Sequence, residues 1–203
     1  MNLSKAQAAA TLAVSLALAA GLAGCRFNVD KGVNGQDKKV QIDTPFGGLH
    51  VNTDQTTAAD LGLPVYPGAA VTRGDGEHKS ADVQMGFGEW VLKVKVVSYQ
   101  TSDSEEQVTA FYKKALGRYG NVITCQGNSP VGTPATTSEG LSCADDGKHN
   151  KVEIEKYGMQ LKAGSKRHQH IVGFESPMDG KTRFALVSLD LPADVESGSE
   201  TSD

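Results

Sequence analysis

The fold of this chain is decided by the stretch Trp90-Val91-Leu92-Lys93-Val94-Lys95-Val96-Val97-Ser98-Tyr99, together with Thr101-Ser102-Asp103-Ser104 directly after it. Apolar residues at every second position of the first segment alternate with two lysines, and this period of two predicts a strand with one buried face. The pattern extends back to Val83, so a strand is predicted over 83–99. The polar segment then ends the strand and begins a helix.

The predicted helix begins with Asp103 as its N-cap and Glu106 three residues later, the spacing of a capping box. Gly117 and Gly120 provide its end. Its apolar residues recur at helical spacing, at Val108, Phe111, Tyr112, Leu116 and Tyr119. Such an aromatic stripe is typical of a face packed into a core. We therefore expect this helix to pack on a sheet.

The rest of the chain predicts further strands. Residues 121–124, 152–161 (with a bulge at Gly158), 168–174 and 184–191 are rich in alternating apolar residues and are separated by turn sequences. The predicted fold class is α+β, an antiparallel sheet with one main amphipathic helix packed on it. Near the N-terminus, two short alternating segments flank Pro45-Phe46-Gly47-Gly48, and this pattern adds a small hairpin over 40–55.

The N-terminal segment has the three parts of an export signal. Lys5 is followed by an apolar run over 8–20 and then by small residues. The run is shorter than the roughly 20 residues needed to remain in a bilayer. We expect a signal peptide over 1–24, a flexible tether over 25–39, a folded domain over 56–191 and a disordered acidic tail over 192–203.

The signal ends in Leu22-Ala23-Gly24-Cys25, which resembles the lipobox of bacterial lipoproteins at all four motif positions. The resemblance implies diacylglyceryl transfer to Cys25, cleavage between Gly24 and Cys25, and acylation of the new amine by a fatty acid such as palmitate. In that family an Asp after the lipidated cysteine favours the inner membrane. Arg26 stands there, so the resemblance implies delivery to the outer membrane of a two-membrane bacterium. An ordinary secretory signal is the alternative.

Composition limits the classes of partner. With 38% hydrophobic and 22% charged residues the chain has the balance of a globular protein. Its formal net charge is −4, and removal of Lys5 with the signal leaves −5. The last ten residues carry four of the negative charges, so the folded body is close to neutral. Nucleic acid needs a concentrated basic surface and is therefore not an expected partner.

The three cysteines divide into one lipidation site and one pair. Cys25 is assigned to lipid, and Cys125 and Cys143 remain. In an exported protein an even pair predicts a disulfide, here across a long loop. Two free buried thiols are the alternative. A pair alone has too few ligands for a structural zinc site.

Few residues indicate chemistry. The sequence contains no phosphate-binding glycine loop, no zinc-protease motif and no nucleophile elbow, so no enzyme activity and no cofactor are predicted. His168 and His170 are two residues apart on a predicted strand and project to one side. Together with His149, or with Asp145 and Asp146, they are candidates for a zinc or copper site. The alternative is an exposed strand end beside Lys166 and Arg167.

A second resemblance covers the first half of the folded body. Leu63-Pro64-Val65-Tyr66-Pro67-Gly68-Ala69, a strand, Ser102-Asp103-Ser104 and Phe111-Tyr112-Lys113-Lys114-Ala115-Leu116 resemble a recurrent module of uncharacterised bacterial exported proteins and lipoproteins, over 63–125. The resemblance implies one helix on an antiparallel sheet and no known activity.

Three functions remain open at this point. The expected one is a non-enzymatic interaction module, held in the cell envelope by lipid on Cys25 and contacting an envelope protein. The second is a periplasmic small-ligand protein with a pocket between helix and sheet. The third is a metal carrier or metal-dependent enzyme that uses His168 and His170.

Overall fold

The computed structural model describes residues 25–31, 37–73, 78–144 and 158–192. These residues form one eleven-stranded antiparallel sheet and one α-helix, so the broad α+β prediction is confirmed. The expected signal peptide, the tail from 193 onward, and the part of the predicted strand before Gly158 lie outside the described residues. No helix in the described part of the chain has the length and apolar content to span a bilayer.

The elements follow one another in the chain as a series of hairpins. The helix α1 is Glu105–Leu116, and two 3-10 turns lie at Ala58–Leu61 and Gly117–Tyr119. The strands are β1 (Arg26–Lys31), β2 (Asp37–Thr44), β3 (Gly47–Thr53), β4 (Ala70–Val71), β5 (Ser80–Phe87), β6 (Trp90–Thr101), β7 (Ile123–Gln126), β8 (Ser129–Pro130), β9 (Met159–Gly164), β10 (His168–Met178) and β11 (Lys181–Asp190).

Strand β6 is the centre of the sheet. The strand order is β1-β2-β3-β5-β6-β11-β10-β9-β7-β8, with β4 beside the end of β6. Along one edge β6 pairs with β11 from Lys93 to Thr101. Along the other edge it pairs first with β5 and then with β4. Its twelve residues therefore connect the N-terminal and C-terminal halves of the molecule.

The single strand predicted over 83–99 is wrong, because the chain reverses at Gly88-Glu89 and forms the β5–β6 hairpin. Gly88 has a φ of 61°, a left-handed conformation that glycine adopts without steric cost. The apolar alternation hides this turn, because Phe87 and Trp90 face each other across it. The alternation therefore correctly predicts a strand on each side of the turn, but it does not reveal the turn itself.

The main core lies between α1 and one face of β6, β9, β10 and β11. Val108, Tyr112 and Leu116 of α1 are fully buried. The sheet contributes Val97, Tyr99, Leu161, Ala163, Val172, Phe174, Phe184 and Leu186. The segment from Ala58 to Tyr66 closes one side of this core. Phe111, predicted to be a docking residue, is only partly buried and packs edge-on against Tyr66 at the core margin, with ring centroids 5.2 Å apart.

The predicted helix N-cap is displaced by one residue. Ser104, not Asp103, caps α1, and its hydroxyl accepts a hydrogen bond from the Gln107 backbone at 3.4 Å. The Gln107 side chain completes the capping box by accepting from the Ser104 amide. Asp103 is engaged elsewhere, because the Tyr66 hydroxyl donates to its carboxylate at 2.7 Å. A competing long-range partner thus decides which of two good capping residues is used.

The N-terminal region differs from the predicted flexible tether. Residues 26–31 form β1, which pairs antiparallel with β2. Strands β2 and β3 pair around the Pro45-Phe46 turn, and β3 pairs in turn with β5. These strands therefore continue the main sheet from β6 outward to the edge at β1. The backbone of residues 26–31 is hydrogen-bonded in a sheet just after Cys25.

Candidate functional site

The two histidines singled out in the sequence lie on the helix-facing side of β10, but in different environments. His168 is exposed, and its Nδ1 lies 2.9 Å from an Asp190 carboxylate oxygen on the neighbouring strand. His170 is half-buried and stacks on Tyr119, with ring centroids 3.6 Å apart. The Tyr119 hydroxyl donates to the Gly62 carbonyl at 2.7 Å. His170 therefore fills a packed junction between the end of α1 and the sheet.

Among the described residues, the histidine pair has one carboxylate neighbour, Asp190, and this does not complete a metal site. Within residues 25–31, 37–73, 78–144 and 158–192, no three His, Cys, Asp or Glu side chains are grouped so as to hold a metal ion. His149, Asp145 and Asp146 lie outside the described residues. His168 contacts the Asp190 carboxylate, and His170 contacts the Tyr119 ring and the Leu61 backbone.

Burial makes His170 a pH-sensitive part of the fold. Desolvation lowers the pKa of its imidazole below the ordinary value of 6.5, although Asp190 and a hydrogen bond with the Leu61 backbone oppose this shift. The charges of Arg118 and of His168 lower the pKa further. The unfolded chain therefore binds a proton more readily than the folded chain does. Stability is full above the unfolded pKa and falls as the pH drops below it.

We predict that His170→Gln weakens this loss of stability at low pH. The measurement is the free energy of unfolding in urea at about pH 8 and about pH 5, since the difference between the two values isolates the titrating group. His168→Gln is the matched control, because it removes an exposed histidine from the same strand. An unchanged difference in the His170 variant would contradict the prediction.

The predicted disulfide is present between Cys125 and Cys143, 18 residues apart. It lies behind the sheet, on the face opposite α1, in a small cluster with Ile123. Beside it Lys162 is fully buried, and its Nζ donates to the Cys143 carbonyl at 3.4 Å. The disulfide thus holds the 127–144 loop where a backbone carbonyl accepts a hydrogen bond from the buried Lys162 side chain.

A buried ion pair lies on the same face at the far end of the sheet. Glu175 and Arg183 are directly opposite on β10 and β11, with 3.0 Å between carboxylate and guanidinium. Arg183 also donates to the Arg73 carbonyl at 2.7 Å. Both side chains are almost completely buried, so each charge compensates the other. Sequence reasoning missed Lys162, Glu175 and Arg183, because only the cross-strand register places them inside.

The most distinctive surface is the sheet extension formed by β1, β2, β3, β5 and residues 90–96 of β6, which we call the β-arm. Directly opposed residues of antiparallel strands share a face, so the registers assign each side chain to one side. One side is apolar, and its members are Phe27, Val29, Val40, Ile42, Leu49, Val51, Val83, Met85, Leu92 and Val94. Apart from the exposed Phe27, all of these are half-buried. This side is the apolar face.

The apolar face continues into the body of the protein. Val94 and Val96 pack against a second cluster of buried residues formed by Ile171, Ala185 and Val187. This cluster lies on the side of the sheet that is opposite α1. The β-arm therefore carries the hydrophobic layer of the body outward to the edge strand β1.

The opposite side of the β-arm is polar, and one row of polar residues crosses its five strands and continues over β11 to β10. The row consists of Asn28, Gln41, His50, Gln84, Lys93, Asp190 and His168. His50 also contacts Asp43 at 2.9 Å, and this hydrogen bond, with a second from Gln41, lowers the pKa of the Asp43 carboxyl. His168 is thus the end of a solvated polar row. The two sides of the β-arm have opposite chemistry.

One end of the β-arm carries exposed aromatic rings. Phe46 in the β2–β3 turn is 83% exposed, Phe27 is 68% exposed and Phe87 is 53% exposed. Phe87 lies beside Trp90, with ring centroids 6.2 Å apart. We call these four residues the aromatic tip. Cys25, which is exposed, immediately precedes β1 at this end.

The aromatic tip is not predicted by local sequence pattern. The pattern assigns Phe46 only to a turn and Phe27 only to a tether. The signal for it in the sequence is an aromatic ring in a turn, Phe46, and another two residues after Cys25, Phe27. Local pattern gives neither position a means of burial. Searches against protein-family models, curated protein sequences and solved structures find no match for this chain.

Proposed function

We propose that this protein is a lipid-anchored component of the bacterial cell envelope that acts by contact, as a non-enzymatic interaction module. Lipid on Cys25 attaches the chain to the outer membrane. The β-arm, which includes the β2–β3 hairpin, presents a binding surface to an envelope protein. No nucleic acid and no cofactor take part in this function.

The observation that carries the proposal is the apolar face of the β-arm. Ten apolar side chains from five strands lie on one side and keep part of their surface in water. A contiguous apolar surface of this kind marks an interaction site more often than it marks a solvated surface. The polar side of the β-arm has no contiguous apolar surface of this kind. We therefore expect the partner to contact the apolar face and not the polar side.

The anchor supports the same function. Leu22-Ala23-Gly24-Cys25 resembles a lipobox, and Cys25 is directly followed by β1 rather than by a long linker. A protein confined to a membrane meets a partner on that membrane at a raised effective concentration. The modest affinity expected of a half-exposed apolar face is then sufficient for binding.

Photo-crosslinking in intact cells tests the directional contact. Val83 and Gln84 are neighbours on β5 that face opposite sides of the β-arm. A photoreactive amino acid in place of Val83 is expected to give a crosslinked protein of higher mass, whereas the same substitution of Gln84 is the matched control. Equal crosslinking from both positions, or none from either, would contradict the proposed use of the apolar face.

A further inference from the structure

The aromatic tip is assembled by the sheet register rather than by sequence proximity. Thr44 is opposite Gly47, Gly47 is opposite Phe87, and Phe87 is opposite Trp90. The first residue of β1, Arg26, pairs with Asp43, one residue before the end of β2. The start of β1, the β2–β3 turn and the β5–β6 turn therefore end at the same level. Their aromatic rings therefore lie close to one end of the sheet.

We propose that the aromatic tip inserts into the interfacial region of a lipid bilayer. Three phenylalanines that are each more than half exposed lose contact with water there. Tryptophan concentrates at the membrane–water interface, where its amphipathic ring lies at the level of the headgroups. Phenylalanine, with tryptophan and leucine, supplies the apolar side of protein segments that lie in this interface. This proposal rests on the proposed function only for its choice of membrane, which the anchor at Cys25 supplies.

The position of Cys25 favours a bilayer, rather than a soluble protein, as the partner of the aromatic tip. Only Arg26 separates Cys25 from Phe27. At roughly 3.3 Å per residue of strand, a lipid on Cys25 holds Phe27 within about 7 Å of the attachment point. A soluble partner protein would have to displace the membrane from this end. Arg26, exposed beside the attachment point, is placed to meet anionic phosphate groups.

The backbone of the β2–β3 turn is also suited to a less polar environment. The Thr44 hydroxyl accepts hydrogen bonds from the amides of Phe46 at 3.3 Å and Gly47 at 3.1 Å. The same hydroxyl donates to the Gly47 carbonyl at 2.8 Å. Removing backbone groups from water costs less free energy when they already have hydrogen-bond partners. The turn can therefore carry Phe46 into the interface without exposing unpaired amides.

Insertion of the tip fixes the orientation of the whole protein. Strand β6 begins at Trp90 in the tip and reaches the buried core at Val97. Seven residues of strand at roughly 3.3 Å each place that core about 23 Å beyond the tip. The β-arm is then a spacer that holds α1 and the main core away from the lipid. On its apolar face, the row formed by Val29, Val40, Val51, Val83 and Val94 lies further from the lipid than the row that contains Phe27.

The only tryptophan of the chain, Trp90, reports insertion directly. The experiment uses the complete processed protein, reconstituted into vesicles of phosphatidylethanolamine and phosphatidylglycerol, with and without bromine on the acyl chains. The expected result is a shift of Trp90 emission to shorter wavelength, loss of quenching by acrylamide in the water, and quenching by the bromine atoms. If acrylamide still quenches the fluorescence of Trp90 and the bromine atoms do not, the proposal is overturned.

Two variants test whether the tip itself causes the effect. Phe27→Ser combined with Phe46→Ser removes two exposed rings that are not in ring contact with Trp90, and is expected to restore quenching by acrylamide. Met178→Ser is the matched control, because Met178 is 57% exposed at the opposite end of the sheet, beside Lys181. An emission shift that follows protein density in the vesicles, without bromine quenching, would identify a second copy as the occupant and overturn the proposal.

Failure of this inference is distinguishable from failure of the proposed anchor. The mass of the N-terminal peptide reports acylation of Cys25 independently of Trp90. A chain that proves not to be acylated is mixed with the same vesicles and measured in the same way. Missing lipid contradicts the anchor alone, whereas Trp90 remaining in water in the presence of vesicles contradicts the aromatic tip.

Discussion

Cys25→Ser is expected to abolish stable attachment of the protein to the membrane. The thiol is the atom to which the lipobox resemblance assigns diacylglyceryl, and serine has no thiol to form the thioether. Each buried methylene contributes about 0.8 kcal/mol to membrane binding, and one acyl chain alone gives only reversible attachment. Loss of the two or three chains implied at Cys25 therefore removes the main source of anchoring.

Cell fractionation and the mass of the purified chain measure this effect. The variant is expected either in the soluble fraction or as an uncleaved precursor that retains residues 1–24. Asn28→Ser is the matched control, because it changes a polar side chain of β1 to serine and leaves the thiol in place. If Cys25→Ser leaves the protein with the wild-type mass and sedimentation, Cys25 is not the anchor.

The helix and the neighbouring strand show how far local pattern predicts this fold. The spacing of Val108, Tyr112 and Leu116 requires only the helical period, and all three side chains are buried in the structure. The alternation after Trp90 likewise predicts which residues of β6 share a face. Both are properties of a single element, and neighbours in the chain determine them.

Features that depend on pairing between distant strands could not be predicted in this way. Lys162 belongs to an ordinary alternating segment, and its burial follows from β7 and β10 on either side of β9. The break at Gly88 shows the same limit, because a strand that continues and a tight hairpin have the same alternation. Register, rather than period, decides these features.

The β-arm depends both on local alternation and on pairing between distant strands. Alternation in residues 40–44 and 49–53 predicts a two-sided hairpin, and the structure pairs these segments as β2 and β3. The sequence does not show that β1, β5 and β6 extend this hairpin into a five-strand surface, or that three separate chain positions bring their aromatic rings to one end. The candidate functional surface thus arises from the sheet order, which local pattern leaves open.

Phe184→Ala is expected to lower the free energy of unfolding by about 3–5 kcal/mol, the range for removing a large buried aromatic side chain. Phe184 is fully buried on β11. Its ring lies 5.5 Å from Tyr112 of α1 and 5.8 Å from Tyr99 of β6, measured between centroids. Phe174 and Tyr66 are within 6.4 Å. One substitution therefore opens a cavity where the helix, the sheet and the 58–66 segment meet.

Urea unfolding followed by circular dichroism measures the change in free energy. Phe87→Ala is the matched control, because it removes the same ring from an exposed site in the aromatic tip, and it is expected to change stability by no more than about 0.5 kcal/mol. Phe184→Leu is expected to recover most of the loss, since it refills much of the cavity with apolar volume. Similar losses for Phe184→Ala and Phe87→Ala would mean that packing of α1 on the sheet does not depend on Phe184, and that the main core has been assigned to the wrong residues.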